Sequence, residues 1–294
     1  CVAGTIRPMD PTTKAGLQAK GDAFRALHRR EGKAFVIPNP WDLGTARLLA
    51  SLGFEALATT SAGCAFALGV PDNRIDRDTA IEHVRSLADA TPLPVSADLE
   101  NGFGDDPDTV ADTIRRAAAA GAVGGSIEDT NTRNERPQYE FAHAVERVRA
   151  AAEAARSLDF PFTLTARAEN FLAGNPDLHD TIRRLQAYRD AGADVLYAPG
   201  LSTREAIAEI VRSVDRPVNV LMGPPALRLT VDELAALGVR RISVGSALAR
   251  AALGAFLRAA REIRENGTFG FGADAVGYPE INAMFAAMPR VRNG

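Results

Sequence analysis

The sequence predicts an α/β protein of the (β/α)8 (TIM) barrel class, and three observations carry this prediction. Eight short runs of apolar and β-branched residues recur along the 294-residue chain, each followed by a stretch rich in Ala, Leu and Arg. These stretches place apolar residues at helical spacing, and several end in Gly, a common helix C-cap. Strands that alternate with helices require a parallel sheet, and eight such units in about 250 residues is the count of a barrel.

The predicted elements follow one another in a regular order. The eight strands begin at Ala34, Glu55, Leu93, Val123, Pro161, Asp194, Arg216 and Arg240. An amphipathic helix around Lys14 to Glu31 precedes the first strand, and a long helix follows the eighth. From Gly267 a tail carries a Gly-rich turn and a short apolar helix. A doubly wound open sheet stays an alternative, although the first unit lacks the G-x-G-x-x-G turn of a dinucleotide site.

No linker or composition break divides the chain, so residues 1–294 are predicted to be one domain, with the barrel at 33–260 and a helical tail at 261–294. A net charge of −3 with 46% hydrophobic residues is typical of a soluble globular protein. The sequence has no basic patch interleaved with aromatics, which argues against a nucleic-acid partner. It also has no apolar run of membrane length and no signal-peptide core, which predicts no membrane partner. The two cysteines, Cys1 and Cys64, cannot form a disulfide framework, which fits the cytoplasm.

Acidic residues cluster where predicted strands 3 and 4 end, the side of a barrel where chemistry takes place. In "PVSADLENGFGDDP" (94–107), Asp98 and Glu100 point the same way if the run is a strand, and strand 4 ends in Glu128 and Asp129. Acids around one mouth repel each other unless a cation is shared. Oxygen ligands without a nearby histidine select Mg²⁺ or Mn²⁺. For any single acid the alternative is a helix N-cap or a salt bridge.

Missing residue types narrow the chemistry further. A Schiff-base aldolase needs a lysine on a barrel strand, yet the lysines are Lys14, Lys20 and Lys33. A zinc site needs histidine ligands, but every histidine falls in a predicted helix or helix start, as expected of surface or capping residues: His28, His83, His143 and His179. Arg167, at the end of strand 5, is a candidate clamp for a carboxylate. Its alternative role is a structural ion pair with Glu169 or Glu128.

Five motifs in order, "TTSAG", "GVPD", "ADLENGFG", "GGSIED" and "TARAENFLAG", resemble the isocitrate lyase/phosphoenolpyruvate mutase superfamily across roughly residues 33 to 260. The resemblance implies a modified barrel whose eighth helix swaps with a neighbouring subunit, so that dimers pair into a homotetramer. It also implies a small-molecule carboxylate substrate and Mg²⁺ (or Mn²⁺) as cofactor.

The resemblance further implies a role for each matching residue. Asp98 matches the acid that binds Mg²⁺ directly, and the acids that hold the metal's waters are matched by Glu100, Glu128 and Asp72. The substrate's α-keto acid end is held by a small-residue turn matched by Ser61, Ala62 and Gly63. Arg167 matches the arginine that binds substrate and orients the reacting group, so Arg167 and Asp72 are the catalytic candidates. Asn219 matches a substrate-binding asparagine near strand 7.

The sequence also departs from the superfamily pattern. Lyases of the superfamily carry a catalytic cysteine within K-[KR]-C-G-H after strand 4, where this chain reads "EDTNTRNERPQYEF", with no Cys, Lys or His. Glu100 stands where Asp is usual, and its longer arm favours a metal contact through water. The polar composition of Thr130 to Tyr139 predicts a mobile lid that brings Arg133 or Arg136 towards a distal carboxylate.

These observations favour a Mg²⁺-dependent enzyme that acts on a small 2-oxo or 2-hydroxy carboxylate through an enolate. Carbon–carbon cleavage is the leading reaction, and the missing cysteine favours a decarboxylation of the oxaloacetate type. Three alternatives remain open. They are P–C bond chemistry on a phosphonopyruvate-like substrate, a phosphate-binding barrel that uses Gly245 and Ser246 in "RRISVGSALAR", and a non-catalytic relative.

Overall fold

A computed structural model describes residues 13–131, 138–224 and 227–288 of the chain. Eight parallel strands form one sheet in the order β1-β8-β7-β6-β5-β4-β3-β2. The strands are β1 (Phe35–Ile37), β2 (Leu57–Ala58), β3 (Val95–Asp98), β4 (Gly124–Glu128), β5 (Thr163–Arg167), β6 (Val195–Tyr197), β7 (Val218–Leu221) and β8 (Arg241–Ser243). Since the first strand pairs with the eighth, the predicted barrel is confirmed and the doubly wound alternative is wrong.

Helices connect the strands and surround the sheet. They are α1 (Lys14–His28), α2 (Leu43–Ser51), α3 (Ser61–Ala67), α4 (Arg77–Ala90), α5 (Pro107–Ala119), α6 (Phe141–Arg156), α7 (Leu178–Ala191), α8 (Arg204–Ser213), α9 (Val231–Ala236), α10 (Ala247–Arg261) and α11 (Tyr278–Ala286). A π-helical turn (Glu262–Asn266) and a 3-10 turn (Gly270–Asp274) lie between the last two. No helix among the described residues is long and apolar enough to cross a membrane.

The β1–β2 junction is held by isolated hydrogen bonds, and no strand ladder joins these two strands within the described ranges. The Ala58 N–H donates to the Pro38 carbonyl at 3.1 Å. The buried Asn39 side chain donates to the Thr59 carbonyl at 2.9 Å, and its Oδ1 accepts the N–H groups of Val244 (3.0 Å) and Gly245 (2.8 Å). One amide therefore joins the C-terminal ends of β1, β2 and β8.

Helix α1 packs against the N-terminal end of the barrel. Phe24 is fully buried, and its ring lies 6.3 Å from the ring of Phe35. A Cβ on Gly124, the first residue of β4, would stand 2.7 Å from the Phe24 ring, so this position must be glycine to let the helix approach. His28 is buried against the same two rings, which makes the prediction of a surface or capping role wrong for this histidine.

The tail after β8 leaves most of its apolar side chains exposed. Ala249 is the one buried residue of α10, whereas Phe256 is 66% exposed and Tyr278 is 81% exposed. Contacts between α11 and α2 hold the end of the described tail against the barrel. The predicted order of long helix, Gly-rich turn and short helix is confirmed. Large apolar groups exposed in such number are typical of a surface that another chain covers.

We expect Asn39→Ala to lower the free energy of unfolding by about 2–4 kcal/mol, because it leaves a buried carbonyl and two partly buried N–H groups without partners. Denaturant unfolding at fixed protein concentration measures the change. Asn282→Ala removes a comparable amide from the exposed face of α11 and should change the free energy by less than about 0.5 kcal/mol. Equal losses in the two variants would contradict this role of Asn39.

Candidate active site

A cavity of about 320 Å³ opens at the C-terminal ends of the strands. Its wall brings together most of the residues that the sequence singled out: Ser61, Ala62, Asp72, Asp98, Glu128, Arg167 and Asn219. They come from β3, β4, β5 and β7, from the first turn of α3 and from the loop after α3. Glu169, Tyr197, Ser243 and Arg241 also line the cavity. Glu169 is the expected alternative ion-pair partner of Arg167 and Tyr197 ends strand 6, whereas local patterns indicate no role for Ser243 or Arg241.

Arg167, the last residue of β5, lies at the centre of a cluster of carboxylates. Its Nε donates to Glu169 Oε1 at 2.7 Å, its Nη1 to Asp98 Oδ1 at 3.2 Å and its Nη2 lies 3.1 Å from Glu128 Oε2. The guanidinium carbon also lies 5.2 Å from the centre of the Tyr197 ring. Arg167 therefore forms the ion pairs with Glu169 and Glu128 that were its alternative role. Three of its five N–H groups are used, and the other two can contact a ligand.

The proton affinities of this cluster follow from burial and charge. Burial and the negative charges of Glu169, Asp98 and Glu100, opposed by Arg167, raise the pKa of Glu128 to about 8. Burial likewise raises the pKa of Glu169. Burial opposes the positive charge of Arg167, yet the surrounding carboxylates keep its pKa well above the usual value. When its three carboxylates are all ionised, the cluster holds more negative charge than its one arginine neutralises.

The whole cavity has the same imbalance. Four carboxylates line it (Asp72, Asp98, Glu128 and Glu169) against two guanidinium groups, those of Arg167 and Arg241. Partial desolvation and the negative charge of Asp98 raise the pKa of Asp72, so the carboxylates of the cavity also act on this acid. If all four acids are ionised, a divalent cation balances the wall, and an all-oxygen donor set suits Mg²⁺.

The described acids do not form a closed shell around a metal position. No group of three His, Cys, Asp or Glu side chains within the described ranges could together hold a metal ion. Mg²⁺ usually keeps several waters and needs only one or two protein carboxylates. The two cavity carboxylates Asp98 and Glu128 are a donor set of the size and chemistry that Mg²⁺ accepts. Asp98 Oδ2 also accepts the Ser61 N–H at 3.0 Å, which ties the carboxylate to the start of α3.

Two predicted site residues lie elsewhere. Strand β3 ends at Asp98, and Glu100 has a left-handed φ of 49°, so the alternation argument fails at this residue. Glu100 is buried and is not part of the cavity wall, although its charge acts on Glu128. Gly63 belongs to the first turn of α3 rather than to a loop, and its N–H donates to the Thr60 side chain at 3.2 Å. Contrary to the expectation from the sequence, Glu100 and Gly63 do not line the cavity.

Asp129, the second acid after β4, points away from the cavity and supports it from behind. Its Oδ1 accepts the Glu169 N–H at 2.8 Å. Its Oδ2 accepts the Tyr188 hydroxyl at 2.5 Å and Arg184 Nη1 at 3.2 Å. Because Glu169 in turn holds Arg167, the buried Asp129 fixes the backbone position from which the guanidinium is oriented.

The loop after β3 is held by a buried arginine of α6. Arg147 donates to the carbonyl groups of Asn101, Gly104 and Asp105, and its guanidinium lies 4.1 Å from the centre of the Tyr139 ring. The Tyr139 hydroxyl donates to Asp105 Oδ1 at 2.6 Å, and Asn131 Nδ2 donates to the same oxygen at 2.6 Å. The loops after β3 and β4 are thus joined at their bases.

The predicted lid lies mostly outside the described residues, which exclude 132–137 and with them Arg133 and Arg136. Its two described ends are paired through an antiparallel bridge between Thr130 and Gln138. Cys64 is buried with a pKa raised by burial to about 11, as expected of a small core residue rather than a nucleophile.

Comparison with known proteins identifies relatives along most of the chain. The family model described as phosphoenolpyruvate phosphomutase matches residues 24–264. A crystal structure from Burkholderia cenocepacia J2315, described provisionally as a lyase/mutase, is 64% identical with a TM-score of 0.89 and covers 92% of this chain and 97% of that one. The oxaloacetate decarboxylase of Rhodopseudomonas palustris (strain BisB5) is 32% identical over 251 residues, 83% of this chain and 84% of the relative. The crystal structure of phosphonopyruvate hydrolase with oxalate and Mg²⁺ has a TM-score of 0.79 at 27% identity and covers 91% of this chain and 95% of that one.

We expect the metal-free protein to lose stability as the pH rises from about 4.5 to about 8 because of Glu128. In this range folded Glu128 keeps a proton that the unfolded chain has released, so raising the pH favours unfolding. Glu128→Gln should flatten this part of the pH dependence and make the protein more stable than the wild type near pH 8. Denaturant unfolding in EDTA across the pH range measures the effect.

Glu146→Gln, an exposed acid of α6, is the matched control and should follow the wild-type curve. An unchanged slope in Glu128→Gln would show that Glu128 is ionised throughout this range.

Proposed function

The chain belongs to the phosphoenolpyruvate phosphomutase family, within the isocitrate lyase/phosphoenolpyruvate mutase superfamily, and on that basis we propose that it is a Mg²⁺-dependent enzyme that cleaves a carbon–carbon bond of a small 2-oxo or 2-hydroxy carboxylate. The observation that carries the proposal is the cavity in which Asp98 and Glu128 face Arg167. Enzymes with related sequences include a decarboxylase, and when its four carboxylates are ionised this cavity has a net negative charge for a cation to balance.

Asp98 would hold Mg²⁺ directly, and Glu128 and Asp72 would hold its water molecules. When bound, Mg²⁺ supplies positive charge that stabilises the enolate oxygen of a 2-oxo carboxylate. Glu100 adds negative charge from behind the cavity wall, which raises the affinity of the site for a cation. The relative that supports this assignment is the phosphonopyruvate hydrolase, whose crystal structure contains oxalate and Mg²⁺.

The remaining wall residues would bind and orient the substrate. Arg167 has two N–H groups that donate to no acceptor among the described residues and could bind a substrate carboxylate, and its ion pairs with three acids fix the plane of the guanidinium. Ser61 and Ala62 also line the cavity, next to Asp98, and the α-keto acid end would lie there. Asn219 donates to Ser243 Oγ at 2.9 Å, and its buried Oδ1 has no hydrogen-bond donor among the described residues, so it can accept one from a substrate hydroxyl or from water.

Decarboxylation of oxaloacetate is the reaction that requires the fewest catalytic groups from this site. The bond between C3 and the distal carboxylate breaks, CO₂ leaves, and the electron pair forms the enolate of pyruvate. A proton from water or from a loop residue at C3 then completes pyruvate. The reaction needs no cysteine acid, and the region after β4 contains none. The related oxaloacetate decarboxylase supports this choice.

The alternative within the family is P–C bond cleavage of a phosphonopyruvate-like substrate, which the phosphonopyruvate hydrolase relative favours. The phosphate-binding barrel is disfavoured, because the N–H groups of Val244 and Gly245, which a phosphate would need, already donate to Asn39. The third alternative is a non-catalytic relative, which would bind a 2-oxo acid without turning it over.

We also propose that the protein is a homotetramer, a dimer of dimers, in which α10 and the tail exchange between subunits. The apolar residues of α10 support this proposal, because they lie on a helix that has almost no buried residues in the single chain. Leu253 and Phe256 border an apolar groove that Trp41 and Phe66 complete, so one side of α10 already lies next to a surface that prefers apolar contacts.

We expect purified protein with Mg²⁺ to release pyruvate from oxaloacetate faster than the solution rate. Asp98→Ala should reduce this metal-dependent rate by about 10³-fold or more, because the enolate charge loses several kcal/mol of stabilisation. Pyruvate release is followed by a coupled assay, and circular dichroism confirms that the variant is folded.

Asp78→Ala, an exposed acid of α4, should retain the full rate and is the matched control. Turnover of phosphonopyruvate but not of oxaloacetate would reverse the ranking of the two reactions. Binding of oxalate without turnover of either compound would identify a non-catalytic relative.

We expect light scattering at micromolar concentration to report a tetramer. Phe256→Glu places a charge on the exposed face of α10 and should shift the population towards smaller species. Glu265→Lys, an exposed charge change in the following turn, is the control and should leave the mass unchanged. A monomeric wild type would contradict the proposal.

A further inference from the structure

The inner surface of the barrel contains a second buried cation below Arg167. Arg241, the first residue of β8, is 4% exposed and lines the floor of the cavity. Its guanidinium carbon lies 5.8 Å from the centre of the Phe24 ring, which closes the barrel from below. Barrel interiors are normally filled by apolar side chains, so an arginine at this level is unusual.

The hydrogen bonds of Arg241 are incomplete. Its Nη1 donates to Thr165 Oγ1 at 2.9 Å, but the buried Nε has no acceptor among the described residues. No carboxylate forms an ion pair with this guanidinium in the described part of the chain. A buried cation with an unused donor is costly unless an anion or water supplies the missing acceptor.

Another buried cation among the described residues shows the contrast. Lys20 of α1 is similarly buried, yet its ammonium donates to the carbonyl groups of Ala88 (3.3 Å) and Thr91 (3.2 Å) at the end of α4. Lys20 therefore fastens a helix to the barrel and does not line the active-site cavity. Arg241 has one protein acceptor and an open space in front of it.

Polar groups without partners surround the same space. Ser96 Oγ and Asn219 Oδ1 are buried, lack hydrogen-bond partners among the described residues and line the cavity together with Arg241. The carboxylates that line the cavity come from the ends of β3 to β5 and the loops that follow β5 and α3, whereas Arg241 lies at the start of β8. The cavity thus combines an acidic mouth with a cationic, polar floor.

We propose that Arg241 forms a second anion subsite, which binds the distal carboxylate of a 2-oxo or 2-hydroxy dicarboxylate whose other end lies at the metal-binding mouth. The proposal rests on the proposed function and specifies its substrate as a dicarboxylate. A carboxylate at this position accepts from the unused guanidinium N–H groups and balances the buried charge. The Ser96 and Asn219 groups supply further hydrogen bonds to the ligand or to waters beside it.

The test measures binding by calorimetry in the presence of Mg²⁺, and its readout is affinity rather than turnover. Wild-type protein is titrated with oxalate, which spans only the mouth, and with 2-oxoglutarate and 2-oxoadipate. Monocarboxylates of the same chain lengths, 2-oxovalerate and 2-oxohexanoate, serve as references. Oxaloacetate is left out because the proposed reaction would consume it during the titration. We expect at least one dicarboxylate to bind about tenfold more tightly than its monocarboxylate reference.

Arg241→Met should remove this advantage and leave the affinity for oxalate within about twofold, and Arg241→Lys should restore part of it. Arg240→Met is the matched control, because Arg240 precedes Arg241 and is not part of the cavity wall. It should bind every ligand as the wild type does. If Arg241→Met does not fold, Arg241→Lys takes its place: it should lower the dicarboxylate advantage while the affinity for oxalate stays within about twofold.

Equal weakening of oxalate and dicarboxylates by Arg241→Met would overturn the subsite and leave Arg241 with a structural role. Dicarboxylates that bind no more tightly than monocarboxylates would overturn it as well. In both cases oxalate binding by the wild type leaves the proposed function standing. A wild type that binds neither oxalate nor any 2-oxo acid would refute the proposed function and the subsite together.

Discussion

The buried ion cluster around Arg167 is the interaction on which the site depends. One guanidinium joins the C-terminal ends of β3, β4 and β5 through Asp98, Glu128 and Glu169. Burying these charges is costly, and the arginine offsets only part of the cost, so Glu128 retains a raised pKa. A site of this kind gains from any ligand that brings positive charge, which explains physically why a cation-dependent function suits this barrel.

Other interactions keep the cluster in place from outside. Asp129 holds the backbone of Glu169, and Arg147 holds the loop that follows Asp98. Asp129 and Arg147 are themselves buried and charged, so buried charges surround the cavity wall as well as line it. The arrangement is typical of binding sites whose geometry must not relax when the ligand leaves.

Regular features of the chain were accessible from the sequence, and irregular ones were not. Apolar, β-branched runs followed by helical patterns located the eight strands, and their ends identified Asp98, Glu128 and Arg167 as neighbours. The alternation expected for Asp98 and Glu100 failed, because Glu100 lies beyond the end of β3 and has a left-handed φ. Such a backbone angle cannot be predicted from a glutamate in the sequence.

The helix that starts at Ser61 differs from the turn that the small residues predict, since β2 has only two residues and gives no periodic signal. Arg241 and Asn39 act through tertiary contacts with residues far along the chain, which local patterns cannot reveal.

The closure by Asn39 also makes the barrel mechanically uneven. Separating β1 from β2 breaks a few individual hydrogen bonds, whereas separating β4 from β5 breaks a five-residue ladder. The start of α3, with Ser61 in the cavity wall, lies directly beside the weaker junction. We therefore expect slow opening of the barrel to be concentrated beside the proposed α-keto acid position, while the strands that hold Arg167 remain stiff.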